Sequence, residues 1–214
     1  AAPLSNMPII VKAVSATDTP CVRLSTGFKN GKEYSVATND LESSAEMTCH
    51  LASLGHRRIA FIKGNKRHKA VCNRFDGYKE GLKQSGLPFS EELVVEGDNS
   101  FGSGEQCAEE LLKLRPRPTA IFCANDDMAA GVLRVTARRG IDVPGEISLA
   151  GCDDISLAQQ IYPALTTIRQ PLEAMAETAS LALIDSARGK PHAQELEIIP
   201  SKIQIRDSTG KAPA

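Results

Sequence analysis

Tryptophan is absent from the 214 residues, and aromatic residues of all kinds make up only 4%. A core so poor in large rings must be filled by aliphatic side chains, and few flat platforms remain on which a ring-shaped ligand could stack. No run of about 18 apolar residues occurs, so the sequence encodes no membrane-spanning helix. No charged start followed by an apolar stretch marks a secretory leader. Neither sign of charge dominates: 25 basic residues face 26 acidic ones, for a net charge of −1. Nothing in that balance draws the chain to nucleic acid or to an anionic membrane. The six cysteines (Cys21, Cys49, Cys72, Cys107, Cys123 and Cys152) include no C-x-x-C pair and no histidine at zinc-site spacing. They read as small buried thiols of a reducing compartment. There is no G-x-S-x-G elbow, no P-loop and no H-E-x-x-H. The pairs Asp126-Asp127 and Asp153-Asp154 come nearest to a Mg²⁺ site, but neighbours at a helix start point in different directions. The sequence therefore predicts no enzyme, no metal and no cofactor.

What is present is alternation. Apolar strands such as 58–62, 93–95, 119–123 and 147–151 are each followed by a stretch with apolar residues at helical spacing. Val71, Phe75, Tyr78 and Leu82 mark one such helix. Met128, Val132 and Val135 mark another, which closes on Arg138, Arg139 and Gly140. Ser43 and Glu46 have capping-box spacing ahead of Met47, Leu51 and Leu54, and Pro171 suits the first position of a later helix. The tail 196–206 reads as extended chain broken by Pro200. Strand–helix alternation predicts an α/β fold with parallel sheets covered by helices on both faces.

In open α/β sheets ligands bind beyond the carboxyl ends of the strands. Asp40, Arg74, Asn125 and Asp153 all follow strands closely. Together they offer carboxylate acceptors, an amide that both donates and accepts, and a guanidinium fork, a mixture suited to a small polyhydroxylated ligand. Singly, each has a plainer role. Asn125 and Asp153 could cap helices, Asp40 could simply precede one, and Arg74 could be a solvated helix charge. His50 and His56 flank a helix end, where capping or a dipole interaction is the plain expectation.

Longer strings are more specific. Residues 51–60, LASLGHRRIA, resemble the L-x-x-L-G-H-x-x-I-A signature of the lactose/galactose-repressor (LacI/GalR) family. Arg74-Phe75-Asp76-Gly77-Tyr78 resembles its R-x-x-G-Y element, and 119–126, TAIFCAND, its T-A-I-F-x-x-N-D element. Residues 140–154, 163–171 and 206–209 resemble three further elements in the family's order. The resemblance covers nearly all of 35–209. It implies a core of two Rossmann-like lobes, like the type I periplasmic binding proteins, joined by three crossovers. The first lobe would hold 1–64 and 170–199, the second 65–169 and 200–214. It implies effector contacts at Asp40, Arg74, Asn125, Asp153 and Gln170. Asn99 falls where relatives often place an aromatic residue against the effector. It also implies a homodimer through the 127–138 helix and the segment around Tyr162, a sugar-like small-molecule effector, a cytoplasmic location and no membrane partner. Operator DNA would be bound only through a helix-turn-helix headpiece preceding this chain, with Ala1 to Ser5 as the loop after a second strand and the first lobe incomplete. The rival expectation is a periplasmic sugar-binding protein of a transporter.

Overall fold

The computed structural model describes Ala16 and residues 20–24, 34–190 and 196–213; the segment 1–5 lies outside the described residues. Strands and helices alternate as expected. β1 (Val22–Leu24) and β2 (Tyr34–Thr38) lead into α1 (Asp40–Ser53), β3 (Ile59–Lys63), α2 (Lys69–Gln84) and β4 (Val94–Glu96). Then come α3 (Phe101–Leu111), β5 (Ala120–Cys123), α4 (Asp126–Arg138), β6 (Ser148–Asp153) and the short α5 (Ser156–Gln160). β7 (Thr166–Arg169), α6 (Leu172–Ala187), β8 (Leu196–Ile199) and β9 (Lys202–Gln204) complete the order. Among the described residues no helix is long and apolar enough to cross a membrane.

The strands form two sheets. One is parallel, in the order β1-β2-β8; the other runs β4-β3-β5-β6-β7-β9 and is parallel except at its β7–β9 edge. The chain passes between them at Asn39, at Gln170-Pro171 and at Pro200-Ser201. The expected first boundary, at residue 64, is corrected by this pairing. β3 lies between β4 and β5 in the larger sheet, and α1 packs on α2, so the second lobe starts at Asp40. An all-apolar strand such as Ile59–Ile62 looks the same in either lobe; only its hydrogen-bonding partners tell which sheet it joins. On the smaller sheet, α6 buries Met175, Ala179 and Ala182 against Tyr34 and Val36.

The few aromatic residues are concentrated where β3 meets α2. The Phe61 ring stacks on Tyr78 at 4.9 Å and meets Phe122 edge-on at 5.2 Å. All three side chains are fully buried. Burial of each contributes roughly 1.5–3 kcal/mol. The Tyr78 hydroxyl donates to the Ile59 carbonyl at 2.8 Å, so its polar end is satisfied. Apart from Tyr34 on the smaller sheet, the buried core is otherwise built mainly of aliphatic side chains with a few methionines and cysteines.

Two local expectations change. The first helix starts one turn earlier than the capping box suggests: Asn39 is its cap residue, and Ser43 lies inside the first turn with its hydroxyl donating to the Asn39 carbonyl at 3.0 Å. His56 is no surface cap. It is fully buried, with Nδ1 3.0 Å from Thr119 Oγ1 and Nε2 2.9 Å from Ser148 Oγ and 3.1 Å from the Gly210 carbonyl. It thereby ties the chain's tail to the amino-terminal ends of β5 and β6. Burial lowers its pKa below the ordinary histidine value.

The α1–α2 contact depends on glycine. A Cβ on Gly77 would sit 2.2 Å from the Leu41 carbonyl oxygen and 2.8 Å from Ser44 Cβ. Alanine favours a helix intrinsically, yet here the neighbour it meets is backbone and cannot yield. Gly77→Ala is expected to cost about 1–3 kcal/mol through overpacking, read as a lower urea midpoint with an unchanged slope.

Candidate functional site

Beyond the carboxyl ends of β3, β5, β6 and β7 lies a cleft of about 310 Å³. Arg74, Asn99, Asn125, Asp153 and Gln170, five of the six expected residues, line it. Asp40, the sixth, is buried behind Arg74 and does not line the cleft. The sequence reading missed His68, Ala70, Val71, Ile155 and Leu172, which complete the wall. The strand-end rule could have found His68, since it sits in the loop after β3. Ile155 and Leu172 carry no polar signal. They supply apolar surface, and Leu172 opens α6, the helix of the smaller sheet.

Arg74 organises the site. It stands on the second turn of α2 and is almost wholly buried. Its Nε donates to Asp40 Oδ1 at 2.8 Å, its Nη1 to the Ala124 carbonyl at 2.6 Å, and its Nη2 reaches Asp153 Oδ1 at 3.2 Å. One guanidinium thus joins the start of α1, the end of β5 and the end of β6. Burial opposes its charge, but the Asp153 and Asp40 carboxylates overcome that, and its pKa lies above the ordinary arginine value.

Asn125 serves both as cap and as part of the cleft wall. Its Oδ1 accepts from the Met128 amide at 3.1 Å, capping α4, while its Nδ2 donates to the Asn99 carbonyl at 2.9 Å. Asn99 has a left-handed backbone (φ 77°), and its side chain turns away to accept from the Asn65 amide at 3.1 Å. It braces the loop after β3 instead of supplying a stacking face. Gln170, in the second crossover, donates from Nε2 to Asp153 Oδ1 at 3.1 Å.

Asp153 caps no helix; α5 begins three residues later. Asp153 and Asp154 both adopt positive φ, 123° and 57°. For residues with a Cβ this costs on the order of 1–3 kcal/mol each and persists only where the surroundings impose it. Here they do. The buried Asp154 carboxylate accepts from Arg169 Nε and from Arg206 Nη2, both at 2.6 Å. The buried Asp126 accepts from the Ile155 amide at 3.0 Å and from the Thr167 hydroxyl at 2.6 Å. Gly151 faces Asp126 because a Cβ there would lie 2.3 Å from Oδ1. Nothing in the sequence marks this role of Asp126, since its partners are 29 and 41 residues away. Asp126-Asp127 and Asp153-Asp154 form no metal cluster among the described residues.

Burial raises Asp126 to a pKa of about 6; the Thr167 hydrogen bond works against that and the Asp153 charge with it. Burial also raises Asp153, with Arg74 opposing. For Asp126 the folded chain therefore binds a proton that the unfolded chain has released. Its contribution to stability is largest below the ordinary aspartate value and is lost as pH rises to about 6. Asp126→Asn removes that titration. As pH rises from about 4 to about 7, the stability difference should shift toward the variant by on the order of 1–3 kcal/mol, measured by urea unfolding at each pH. Arg74→Ala strands Asp40 and Asp153 without their partner, and is expected to cost about 3–5 kcal/mol in the same measurement.

The family model described as a periplasmic binding protein-like domain matches residues 48–209. Among curated proteins, the chain is 39% identical over 167 residues to the transcriptional regulator GalR of Escherichia coli, covering 77% of this chain and 48% of that protein. It is 34% identical over 190 residues to the probable transcriptional repressor ExuR of Bacillus subtilis, covering 88% and 57%. Among solved structures, a LacI family regulator from Enterococcus faecium with bound ribose superposes with a TM-score of 0.88 at 27% identity, covering 96% of this chain and 76% of that one. The regulator CelR in complex with cellobiose gives a TM-score of 0.83 at 30% identity, covering 87% and 58%. The chain spans about half the length of the curated relatives it matches.

Proposed function

The chain belongs to the LacI/GalR family, within its periplasmic-binding-protein-like domain, and from that membership we propose that it is the effector-binding core of a transcription regulator. It acts as a sensor and not as an enzyme. Its relatives are named as regulators and repressors, which favours this reading over a transporter's binding protein. The observation that carries the reading is the convergence of Arg74, Asn125, Asp153 and Gln170 on one cleft beside the crossover at Gln170-Pro171. Ribose and cellobiose are bound by its structural relatives, and we assign a sugar-like effector to this cleft.

The cleft's polar groups already satisfy one another. A ligand must take over some of those bonds, and its affinity is the difference between the new set and the old. Because Gln170 sits in a crossover and Leu172 opens the helix of the smaller sheet, a guest touching both favours one relative placement of the lobes. It shifts the equilibrium only by its difference in affinity for the two placements. In the whole regulator, which acts in the cytoplasm, that shift governs operator binding by a helix-turn-helix headpiece. The regulator is a homodimer through the outer face of α4 and the segment of Tyr162, whose side chain is 93% exposed.

A thermal-shift screen of sugars, sugar derivatives and nucleosides tests this reading; a sugar-like compound is expected to raise the melting temperature. Asp153→Asn keeps the shape of the site and removes one charged acceptor. It should weaken the best hit by about 1.5–3 kcal/mol in calorimetric titration, and unchanged affinity would remove Asp153 from the site.

A further inference from the structure

The cleft wall at Asp153 and Ile155 is held from behind by a residue that does not itself line it. Asp126 opens α4 and is 1% exposed. Its two carboxylate oxygens are shared between two segments. Oδ1 accepts from the Thr167 hydroxyl of β7 at 2.6 Å, and Oδ2 accepts from the Ile155 amide at 3.0 Å. Asp153 and Ile155 both line the cleft, and Gln170, a third lining residue, donates to Asp153. The carboxylate of Asp126 therefore fixes, at one remove, the position of three groups that a guest would meet.

That hold depends on charge. An ionised carboxylate only accepts, which suits two donors. When it takes up a proton both bonds lose their charge assistance, and a charge-assisted bond is roughly twice as strong as a neutral one. The Thr167 hydroxyl can turn round to accept; the Ile155 amide cannot. The loop is also the one in which Asp153 and Asp154 have positive φ, so a weaker hold leaves it a more relaxed backbone to adopt. The surrounding groups set when this happens. Burial opposes the charge of Asp126, and Asp153 at the end of β6 adds to that, so it titrates near pH 6. Arg74 from α2 pairs with Asp153, and Asp154 is neutralised by Arg169 and Arg206. From α3, Glu105 and Glu109 are engaged with Arg134, Arg138 and Arg139, away from Asp126 along α4. Burial keeps the thiols of Cys107, Cys123 and Cys152 protonated. Asp127 is the chain neighbour, and α5 brings no titratable group.

We propose that Asp126 is a positioning residue for the cleft: its ionised carboxylate holds the 153–155 loop in the shape that takes up the effector, so that effector binding is linked to release of a proton from Asp126. This rests on the effector-site reading above and adds a means of regulating it. By reciprocity the proton weakens the effector by the same factor as the effector weakens the proton. Affinity therefore falls as pH falls through about 6.

The test has two arms on the full chain. Without ligand, NMR follows the Ile155 amide from about pH 4.5 to about pH 7.5. Its resonance should show a step near pH 6. The step should vanish in Asp126→Asn. It should move upward by about one pH unit in Thr167→Val, which removes a donor to the ionised form. A purely structural Asp126 would give no step that follows Thr167. The second arm is calorimetric titration with ribose, galactose and cellobiose, none of which ionises in this range. A sugar that binds should bind about ten-fold more weakly at about pH 5 than at about pH 7. Near pH 6 it should release a proton, seen as heat that depends on the buffer. In Asp126→Asn that dependence should shrink to what Asp153 and His68, which also line the cleft, contribute. An Ile155 resonance without the step, or with a step that survives Asp126→Asn, overturns the proposal. So does a sugar held equally well at both pH values. Each of these results leaves the sugar-sensing reading intact. Binding of none of the three sugars at any pH overturns that reading and the proton link with it.

Discussion

A buried guanidinium holding two carboxylates and a carbonyl is the constraint on which this site depends. Arg74 is anchored by α2, but its partners come from the start of α1, the end of β5 and the end of β6. Asp40 also accepts from Thr38 and Asp153 from Gln170, but among the described residues the guanidinium is the one cation the two share. Buried ion pairs add little net stability against apolar replacements, yet losing one member is costly. The arrangement therefore fixes geometry more than it strengthens the fold. It sets where β5 and β6 end, and so sets the floor of the cleft.

The loop after β6 shows how such a floor is kept in a conformation it would not choose. Two successive aspartates in left-handed backbone conformations are held by Asp126 on one side and by Arg169 and Arg206 on the other. Arg169 directly precedes the second crossover, and Arg206 follows the third. The loop that presents Asp153 is thus bonded to the chain segments that connect the lobes. The cleft wall and the segments that connect the lobes are therefore joined by side-chain bonds.

Much of this was legible before any coordinates. The alternation of apolar strands with helical stretches predicts parallel sheets, and β3, β5 and β6 fall within a residue or two of the expected positions. The capping role that the sequence offered for Asn125 is present, its amide oxygen accepting from Met128, while its amide nitrogen donates to the Asn99 carbonyl in the cleft wall. The strand-end rule brought Arg74, Asn125 and Asp153 to one place because parallel strands all present their carboxyl ends to the same edge. It failed for Asp40, which is near a strand end but turned inward by Arg74. The lobe boundary at residue 64, which the family resemblance implied, differs from the observed sheets because an apolar strand does not say which sheet it joins.

The sequence by itself determined the elements, their order and the edge of the sheet where polar side chains gather, since these follow from local periodicity and from the direction of parallel strands. Only the tertiary structure decided which acid neutralises Arg74 from behind and which faces the cleft. It alone made His56 a buried tie instead of a cap, and gave Asp126 the task of holding a loop 29 residues away. Those roles depend on partners distant in the chain, and a short-range pattern holds no record of what folding will bring alongside.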